Sequence, residues 1–439
     1  MSVIQQQAAE IPAPPTAEPP FDIGSTDDSL ERMAGLFARH GDTYRVRAPG
    51  RGRETVVIHA AEDVRRVLVT NRRNYVKGVG FDRVRILLGD GLITSDGDLW
   101  ARQRAMMQPM FHRRVLAQFA ESIAAANDAL LERWDAAAQR GEPVDVTGNM
   151  STMTLEIVLR AILGRDLDRL VRETGANPFD LVVNDPARDL RFAYRFRQLT
   201  RLVAQLVERR RREPEEHFDF VAMLMAARDP ATGEPMGERE MIDEIMTLVV
   251  AGHETTATGL DWTWYLLSQH PEVEARLHEE LDAVAERQPL ELAASAELAY
   301  TGAVVDEALR LYPPVWVFTR RALEADTLGG FAVPPGADVM LPTFVIHRHP
   351  RYWQEPEAFR PERFMSGGEG QGASFAYIPF GAGPRRCLGD SFAIYEMIAH
   401  LSRFARRFRL RMAPGQQVGL EARVNLRPAQ AMRMTLERR

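Results

Sequence analysis

Cys387 is the only cysteine among 439 residues, and its neighbours favour an anionic sulfur. It lies in Phe-Gly-Ala-Gly-Pro-Arg-Arg-Cys-Leu-Gly, residues 380–389, directly before a run of apolar residues at helical spacing. We therefore predict that Cys387 lies at a helix N-terminus, where unpaired amides and the helix dipole stabilise a thiolate. Gly381, Gly383 and Gly389 permit sharp bends and the close approach of a flat, bulky group. The segment is predicted to fit a planar ligand.

The local sequence leaves three uses of this cysteine open: a buried inert thiol, a nucleophile or a metal ligand. The glycines and the flanking arginines count against the buried thiol. A nucleophile needs a base, but the spacing pairs neither His347 nor His349 with Cys387. A single cysteine excludes an intrachain disulfide and is typical of a reducing cytosol.

A second chemical motif lies in the longest helical pattern of the chain, predicted over residues 238–269. Its segment Ala-Gly-His-Glu-Thr-Thr, residues 251–256, places a glycine, an acid and two hydroxyls in an otherwise apolar helix. These residues weaken a helix. The pattern therefore indicates either a functional site or a helix whose hydroxyls bond back to its own carbonyls.

Two further pairs of residues share helix faces. Glu307 and Arg310 are three residues apart, Trp100 and Arg104 are four apart, and Arg363 lies in Phe-Arg-Pro-Glu-Arg-Phe. Each pair alone is weak evidence, because a Glu–Arg pair at this spacing is common on solvated helices. A buried Trp beside a surface Arg is equally ordinary. These pairs become informative only through their order along the chain relative to the cysteine motif.

The elements that must position these motifs are mostly helices. With 45% hydrophobic and 26% charged residues, the chain can bury a large core. We predict a mainly α fold with small β-sheets, in which a flexible proline-rich leader over residues 1–20 precedes one large domain over 21–439. The predicted helices span 26–41, 99–140, 151–163, 190–213, 238–269, 272–286, 300–312 and 391–408. The predicted strands span 43–50 and 54–60, with further strand-like pieces between 318 and 341.

The charge and the hydropathy pattern exclude several classes of protein. The net charge of -6 argues against a general nucleic-acid binder. No apolar run reaches the roughly 18 to 20 residues that a membrane span needs. The N-terminus lacks the charged-then-apolar pattern of a signal peptide. We expect a cytoplasmic protein that binds neither nucleic acid nor membrane.

The cysteine segment carries a resemblance to a known family. Phe380, Gly383, Arg385, Cys387 and Gly389 occupy every fixed position of F-x-x-G-x-R-x-C-x-G, the haem-binding loop of the cytochrome P450 family. The resemblance implies the cytochrome P450 fold, a single large domain containing haem b. It implies that the Cys387 thiolate is the axial ligand of the haem iron, where a thiolate favours O–O cleavage. Arg385 would pair with a haem propionate, and Phe380 and Gly389 belong to the same cofactor site.

The resemblance also assigns roles to the Ala-Gly-His-Glu-Thr-Thr motif. In the family, Ala251 and Gly252 make room for dioxygen beside the haem. Glu254 and Thr255 correspond to the catalytic acid and alcohol that organise water and deliver protons during oxygen activation. His253 occupies a variable position and receives no role.

The remaining motifs acquire cofactor or structural roles through the same resemblance. Trp100 and Arg104 lie beside the haem in the family, with the arginine on a propionate. Arg320, in Thr-Arg-Arg-Ala, matches another propionate arginine, although Arg321 next to it is an alternative. The family's structural cluster behind the haem is formed here by Glu307, Arg310 and Arg363.

The resemblance runs from about residue 35 to the C-terminus and implies a haem-thiolate monooxygenase. Such an enzyme inserts one oxygen atom of O2 into a hydrophobic organic substrate by hydroxylation or epoxidation, with electrons from NAD(P)H. Desaturation or oxidative coupling on the same haem is the alternative. A helical protein without haem would require all four motifs to be coincidental.

The chain resembles the soluble bacterial members of the family, because it shows neither a membrane anchor nor a fused flavin or iron–sulfur domain. Those members take electrons from a separate ferredoxin or flavodoxin and its reductase. We expect a monomer. Arg113, Arg114 and Arg386 form either a solvated basic face or a docking site for an acidic partner.

By the same resemblance, the walls of the substrate pocket come from residues 78–95, 176–195 and 315–318, which are mostly apolar. We therefore expect a hydrophobic or amphipathic substrate, such as a terpenoid, fatty acid, steroid or other secondary metabolite. The charged residues of the first segment are expected to face solvent. Anchoring of a substrate carboxylate is their alternative use.

Overall fold

The computed structural model describes residues 11–20, 28–48, 53–184, 190–213, 215–287, 297–372 and 374–439. Its α-helices are α1 (Ser29–His40), α2 (Ala61–Arg65), α3 (Phe81–Leu88), α4 (Gly97–Met107), α5 (Arg113–Leu116), α6 (Ala120–Arg140), α7 (Val146–Leu163), α8 (Asp166–Thr174), α9 (Leu181–Asn184), α10 (Leu190–Arg212), α11 (Phe220–Ala226), α12 (Glu238–Gln269), α13 (Pro271–Ala285), α14 (Ala299–Leu311), α15 (Thr343–Ile346) and α16 (Asp390–Phe404). Its β-strands are β1 (Thr43–Arg47), β2 (Glu54–Ile58), β3 (Tyr75–Lys77), β4 (Val144–Asp145), β5 (Phe318–Ala322), β6 (Asp326–Leu328), β7 (Phe331–Val333), β8 (Asp338–Leu341), β9 (Phe408–Met412), β10 (Leu420–Ala422), β11 (Leu426–Pro428) and β12 (Arg433–Arg438). None of the described helices is both long and apolar enough to cross a membrane.

The chain divides into two compact units. The β unit comprises Met1–Val79, Trp316–Pro356 and Ala373–Arg386, and the helical unit comprises Gly80–Val315, Glu357–Gly372 and Cys387–Arg439. The helical unit contains α3 to α14 and α16, so the predicted mainly α fold with small β-sheets is confirmed. The single domain over residues 21–439 stays a prediction.

A five-stranded sheet organises the β unit, in the order β1-β2-β8-β5-β3. The two predicted N-terminal strands are present as β1 and β2, which pair antiparallel from Thr43 opposite Ile58 to Arg47 opposite Glu54. β8 runs parallel to β2, and β5 joins β8 to β3. Buried side chains of β2 and β8, such as Ile58 and Val339, form the core of this unit. The sheet therefore fixes β5, which carries the predicted propionate arginine.

The described part of the predicted leader lies along the sheet of the β unit. The Ala17 amide donates to the Arg45 carbonyl at 2.8 Å, and the Arg45 amide donates to the Pro15 carbonyl at 2.9 Å. Strand β1 is an edge strand, whose free backbone groups accept such an added segment. Residues 15–17 thus pair with β1, and the flexible leader over residues 1–20 stays a prediction. Residues 1–10 of the leader lie outside the described residues.

Helix α12 is the framework of the helical unit. Its bounds, Glu238–Gln269, match the predicted helix, and Pro271 begins α13 directly after it. Proline has no amide to continue a helix, which explains the sharp end. Helix α12 packs against α7, α14 and α16. The Ala-Gly-His-Glu-Thr-Thr motif in its middle is therefore held by neighbouring helices.

The helix predicted over residues 99–140 is broken into α4, α5 and α6. Pro109 lies in a 3-10 turn after α4, and His112 has an extended backbone with a ψ of 141°. The break follows from proline, which cannot donate the next helical hydrogen bond. As a result, Trp100 and Arg104 lie on a short separate helix.

The C-terminal region contains strands that the sequence analysis did not predict. The predicted helix over residues 391–408 ends at Phe404, because Phe408 begins β9. Strand β12 pairs with both β9 and β4, and β10 pairs with β11 in a separate hairpin. The indole nitrogen of Trp262 on α12 donates to the Leu426 carbonyl at 2.9 Å. This hydrogen bond ties the β10–β11 hairpin to α12.

Candidate active site

Cys387 is exposed and lies three residues before the first residue of α16. Gly389 is the N-cap residue of this helix, and its carbonyl accepts the Ala393 amide at 2.9 Å. The structure thus places the cysteine at a helix N-terminus, as the sequence predicts. The helix dipole favours the thiolate form there. Exposure of the side chain rules out the alternative of a buried inert thiol.

Arg104 on α4 supplies a positive charge near Cys387 within the helical unit. Burial lowers the pKa of the Arg104 guanidinium, whereas the charges of Cys387 and Asp390 raise it. The Nε atom of Arg104 lies 3.4 Å from Gln108 Oε1. Trp100, one turn earlier on α4, is partly buried. A guanidinium near a thiol stabilises the thiolate, so Arg104 and the N-terminus of α16 both favour the thiolate form of Cys387.

The loop before the cysteine bends at two glycines of the β unit, with φ values of +70° at Gly381 and +68° at Gly383. A Cβ at Gly383 would lie 2.3 Å from the Leu68 carbonyl oxygen. The packing of the loop itself therefore requires glycine there, and space for a flat ligand stays a prediction. At Gly389, φ is -90° and a Cβ would make an ordinary contact with Phe111 at 3.8 Å. Among the described residues this is the only contact within 4 Å that such a Cβ would make, and the predicted role of Gly389 in the cofactor site stays a prediction.

The two candidate propionate arginines of β5 differ in their partners. Arg321 Nε donates to Asp338 Oδ1 at 3.0 Å and forms an ion pair across β5 and β8. Arg320 is buried, and its Nη1 donates to the Thr319 carbonyl at 2.8 Å. Neighbouring residues of a strand point to opposite faces of the sheet. Arg321 therefore has an acidic partner within the sheet, and the choice between Arg320 and Arg321 for a ligand carboxylate stays a prediction. Arg385 is half-buried at the end of a short 3-10 helix.

Arg386 differs from its neighbour Arg385 because its side chain is exposed. Its guanidinium carbon lies 6.0 Å from the centroid of the Phe380 ring, at the outer limit of a cation–π contact. Arg113 and Arg114 are exposed on α5 of the helical unit. Their use in docking a redox partner stays a prediction.

The hydroxyls of the α12 motif bond back to their own helix. The Thr255 hydroxyl donates to the Ala251 carbonyl at 2.9 Å, and the Thr256 hydroxyl donates to the Gly252 carbonyl at 3.3 Å. This arrangement is one of the two alternatives that the sequence pattern indicates. Thr256 is buried, whereas Thr255 is only half-buried. Thr255 is therefore the hydroxyl of the pair that a ligand or water reaches more readily.

Gly252 and His253 pack against α7. A Cβ at Gly252 would lie 2.3 Å from Val158 Cγ2, so the close approach of α12 and α7 requires glycine. His253 is buried, with Nδ1 3.0 Å from the Val249 carbonyl oxygen, and its own carbonyl accepts the Thr154 hydroxyl at 3.1 Å. Both residues thus have packing roles. The predicted room for dioxygen stays a prediction.

Glu254 lies near an arginine that the sequence analysis missed. Arg427 Nη1, on β11, lies 3.9 Å from Glu254 Oε1. The side chain of Glu254 is 15% exposed, so this acid is mostly buried but reaches solvent. The two residues are far apart in the sequence, and only the packing of the β10–β11 hairpin on α12 brings them together. No local spacing signals this contact.

Glu307, Arg310 and Arg363 form one buried cluster. Arg310 donates to Glu307 through Nε at 2.7 Å and through Nη2 at 2.8 Å. Arg363 Nε donates to Glu307 Oε1 at 3.2 Å. Glu307 and Arg310 are 0% exposed, and Arg363 is 2% exposed. The structure brings together all three residues that the sequence selects, and their burial excludes the alternative of a solvated helix pair.

Comparisons with known proteins agree with this arrangement. The family model described as Cytochrome P450 matches residues 20–425. The chain belongs to the cytochrome P450 family. Cyclooctatin synthase of Streptomyces melanosporofaciens is 35% identical over 407 residues, which cover 89% of this chain and 87% of that protein. Pentalenene oxygenase of Streptomyces avermitilis is 31% identical over 405 residues, covering 89% and 88%. The structure of retinoic-acid-bound cyanobacterial CYP120A1 matches with a TM-score of 0.85 and 25% identity, covering 98% of this chain and 100% of that chain.

This P450 is therefore a cytochrome P450 monooxygenase, a class that carries haem with a cysteine thiolate on the iron. The residues of the helical unit fit that group. Cys387 is exposed at the start of α16. Its negative charge acts to raise the pKa of the Arg104 guanidinium. A soft, anionic sulfur is the donor that a haem-thiolate iron requires.

The first predicted pocket wall of this P450, residues 78–95, docks onto the first turns of α12. The Asp90 amide donates to Asp243 Oδ2 at 3.0 Å, and the Leu92 amide donates to Glu244 Oε2 at 3.0 Å. Glu244 is fully buried, and this burial raises its pKa to about 8. The sequence analysis missed these carboxylates, which look like ordinary acids at a helix N-terminus.

The second predicted wall, residues 176–195, is described only in part, since 185–189 lie outside the described residues. Helix α10 packs against α3 and α12 within the helical unit. Ile86 on α3 is 70% exposed, so the first wall presents a large apolar side chain. The use of these segments as substrate walls stays a prediction.

Replacement of Glu244 by Gln is expected to flatten the pH dependence of stability. The pKa of this carboxyl is about 8 in the folded protein, against an ordinary value of 4.5. Between these pH values the folded state binds more protons than the unfolded state. Wild-type stability therefore falls as pH rises through this window, by up to roughly 1.4 kcal/mol per pH unit. Urea unfolding of the holoenzyme between pH 5 and pH 8 measures the slope, and equal slopes for E244Q and wild type would contradict the prediction.

Proposed function

We propose that this P450 holds haem b through the Cys387 thiolate and inserts one oxygen atom of O2 into an apolar, terpenoid-type substrate. The observation that carries the proposal is the exposed Cys387 at the start of α16, with the charge of Arg104 nearby. Bound haem would supply the oxygen activation, which electron donation from a thiolate favours. Arg104, Arg320 and Arg385 are the proposed partners of the haem propionates, because guanidinium groups match carboxylates in shape and charge.

Thr255 and Glu254 are proposed to handle the protons of the reaction. The Thr255 hydroxyl directs its own proton to the Ala251 carbonyl, so its oxygen lone pairs can accept a hydrogen bond from water. The neighbouring Glu254 carboxylate is partly exposed and can take protons from solvent. The pair thus offers a proton carrier and a water-orienting hydroxyl at adjacent positions of α12.

The terpenoid class of substrate is supported by two relatives and by the chemistry of the walls. Pentalenene oxygenase and cyclooctatin synthase are similar to this chain over 89% of its length in each case. The first wall presents apolar side chains such as Ile86, while its Arg85 is already paired with Asp90 at 3.1 Å. We propose that these side chains line the substrate pocket, where a terpenoid would bind through removal of its apolar surface from water.

The electrons are proposed to come from NAD(P)H through a separate ferredoxin or flavodoxin and its reductase, with the P450 acting as a monomer. Arg113 and Arg114 in the helical unit and Arg386 in the β unit are exposed cations. Exposed arginines suit the acidic surface of a small electron carrier, since complementary charge steers such encounters.

The experiment that tests the proposed reaction has two stages. First, terpenoids, fatty acids and polyketides are screened for a substrate-induced shift of the Soret band, with terpenoids expected to give the largest shifts. Second, the best substrate is turned over under labelled dioxygen, and one labelled oxygen atom is expected in the product. A response to fatty acids alone would overturn the substrate class. A product without label would overturn oxygen insertion in favour of desaturation or coupling.

Replacement of Thr255 by Ala is expected to divert electrons from product to hydrogen peroxide. Without the hydroxyl, no group at this position of α12 orients the water that carries the proton. Product formed per NAD(P)H consumed should fall by about tenfold or more. Simultaneous assays of NAD(P)H, peroxide and product measure the ratio.

Two variants serve as controls for this prediction. Thr255→Ser keeps the hydroxyl and should keep most of the coupling. Thr256→Ala removes the neighbouring hydroxyl, which is buried and bonded to the Gly252 carbonyl, and should stay close to wild type. Full coupling in T255A would remove Thr255 from the proton route.

A further inference from the structure

One guanidinium lies between two carboxylates where β11 packs on α12. Arg427 Nε donates to Glu421 Oε2 at 2.5 Å, and Arg427 Nη1 lies 3.9 Å from Glu254 Oε1. Glu421 and Arg427 stand directly opposite each other in the register of β10 and β11. Arg427 therefore makes a charge-assisted hydrogen bond to one carboxylate and a longer electrostatic contact to the other.

The backbone beside Arg427 is held firmly within the helical unit. Leu426, the preceding residue, is fully buried. Its carbonyl accepts Trp262 Nε1 at 2.9 Å, and its amide donates to the Pro314 carbonyl at 2.9 Å. Trp262 belongs to the same helix as Glu254. These hydrogen bonds thus fix the position of the Arg427 backbone relative to the helix that carries Glu254.

Partial burial strengthens the longer of the two contacts. The exposed fraction is 15% for the Glu254 side chain and 35% for that of Arg427. Charges that are partly withdrawn from water are screened less than charges on an open surface. At 3.9 Å the contact is longer than an N–H···O hydrogen bond. Arg427 therefore attracts the Glu254 carboxylate without occupying the oxygen lone pairs that a proton needs.

We propose that Arg427 is a positioning residue for Glu254, and that Glu421 holds Arg427 at this distance. The inference rests on the proposed role of Glu254 in handling protons. With Arg427 in place, the Glu254 carboxylate is drawn toward the guanidinium. Without the guanidinium, the carboxylate loses this attraction and is less often in the productive orientation.

The test measures product formed per NAD(P)H consumed by holoenzyme variants, with the terpenoid that gives the largest Soret shift in wild type. Arg427→Gln is expected to lower this ratio about threefold. Arg427→Lys keeps the charge and is expected to recover most of the ratio. Arg423→Gln is the matched control, since Arg423 is in the same hairpin and pairs with Glu421 at 2.9 Å. It removes the same charge and should keep the wild-type ratio.

A Glu254→Gln background separates this inference from the proposed function. In that background, Arg427→Gln is expected to have no further effect on the ratio. If E254Q alone leaves the ratio unchanged, the proposed role of Glu254 fails. If E254Q lowers the ratio and R427Q does not, only the role of Arg427 fails. A loss in R427Q that persists in the E254Q background, or that lysine does not recover, would assign Arg427 to hairpin folding and overturn the inference.

Thermal unfolding of the same holoenzymes gives a readout that does not depend on turnover. E254Q and R427Q each shift the midpoint of thermal unfolding. The shift of the double variant should differ from the sum of the two single shifts by about 1 °C. Strict additivity of the two shifts would contradict an electrostatic contact between these residues.

Discussion

The Cys387→Ser protein is expected to lose the spectral signature of thiolate ligation and nearly all of its oxygenase activity. A serine hydroxyl is a hard, weakly acidic donor that replaces the soft thiolate on iron. Loss of a residue that only supports a metal ligand already costs about 10- to 100-fold, so loss of the ligand itself should exceed a hundredfold. The absorption spectrum of the reduced carbon monoxide complex and the rate of product formation measure the two effects.

The same experiment requires evidence that the serine variant is folded. Cys387 is exposed, so serine at this position removes no buried apolar contact from the helical unit, and far-ultraviolet circular dichroism should match wild type. Ser391→Ala, at the exposed first turn of α16, is the control and should keep both spectrum and activity. Unchanged turnover in C387S would refute Cys387 as the iron ligand.

The Glu307→Gln protein is expected to be the least stable of the variants considered. Gln keeps the shape of the side chain but removes the charge that faces Arg310 and Arg363, whose exposed fractions are 0% and 2%. Arg310 would lose the carboxylate to which it donates through both Nε and Nη2. Removing one partner of a buried ion pair typically costs about 3–5 kcal/mol. That is a large part of the roughly 5–15 kcal/mol by which proteins are stable. Little soluble holoenzyme should be recovered.

Urea unfolding of whatever E307Q protein is recovered tests this expectation against a matched control. Glu173→Gln removes a glutamate that pairs with Arg169 at 2.8 Å on α8, where both side chains are largely exposed. Exposed pairs of this kind contribute at most about 1 kcal/mol. An E307Q protein as stable as E173Q would show that the cluster does not hold the helical unit together.

The sequence predicts a helix well where the helical spacing of apolar residues is continuous and a residue such as proline marks its end. Helix α12 matches its prediction because helical spacing is continuous and Pro271 marks the end. Helix α7 begins earlier than predicted, at Val146, because the Asp145 side chain accepts the Gly148 amide at 3.0 Å and caps the helix. The helix predicted through Pro109 is wrong because apolar residues keep helical spacing across a proline that breaks the helix.

The C-terminal strands illustrate a different limit. Strand β9 carries apolar residues at alternate positions, Phe408, Leu410 and Met412, which is a signal for a strand. Its stability depends on pairing with β12, which in turn pairs with β4 far back in the chain. Such long-range pairing cannot be read from local spacing, and the helical pattern before it was extended too far.

In the candidate site, the sequence identifies which residues take part better than it predicts their burial and contacts. The cysteine segment and the buried Glu307 cluster are found from types and spacing, because their contacts are local or belong to a motif with several fixed positions. The packing reason for Gly383 depends on a contact with the Leu68 carbonyl, and the burial of Glu244 depends on a docked loop. Arg427 meets Glu254 only through the fold of a distant hairpin. Such contacts arise from long-range packing and are seen only in the three-dimensional structure.

Ligation of the haem iron is tested by the absorption spectrum of the purified wild-type protein, reduced and exposed to carbon monoxide. The proposed iron ligand is the thiolate of Cys387, the only cysteine of the chain. The protein should therefore be red, and its carbon monoxide complex should show the strongly red-shifted Soret band of thiolate ligation. A colourless protein that takes up no haem, or a carbon monoxide complex without that shift, would contradict ligation of haem iron by Cys387.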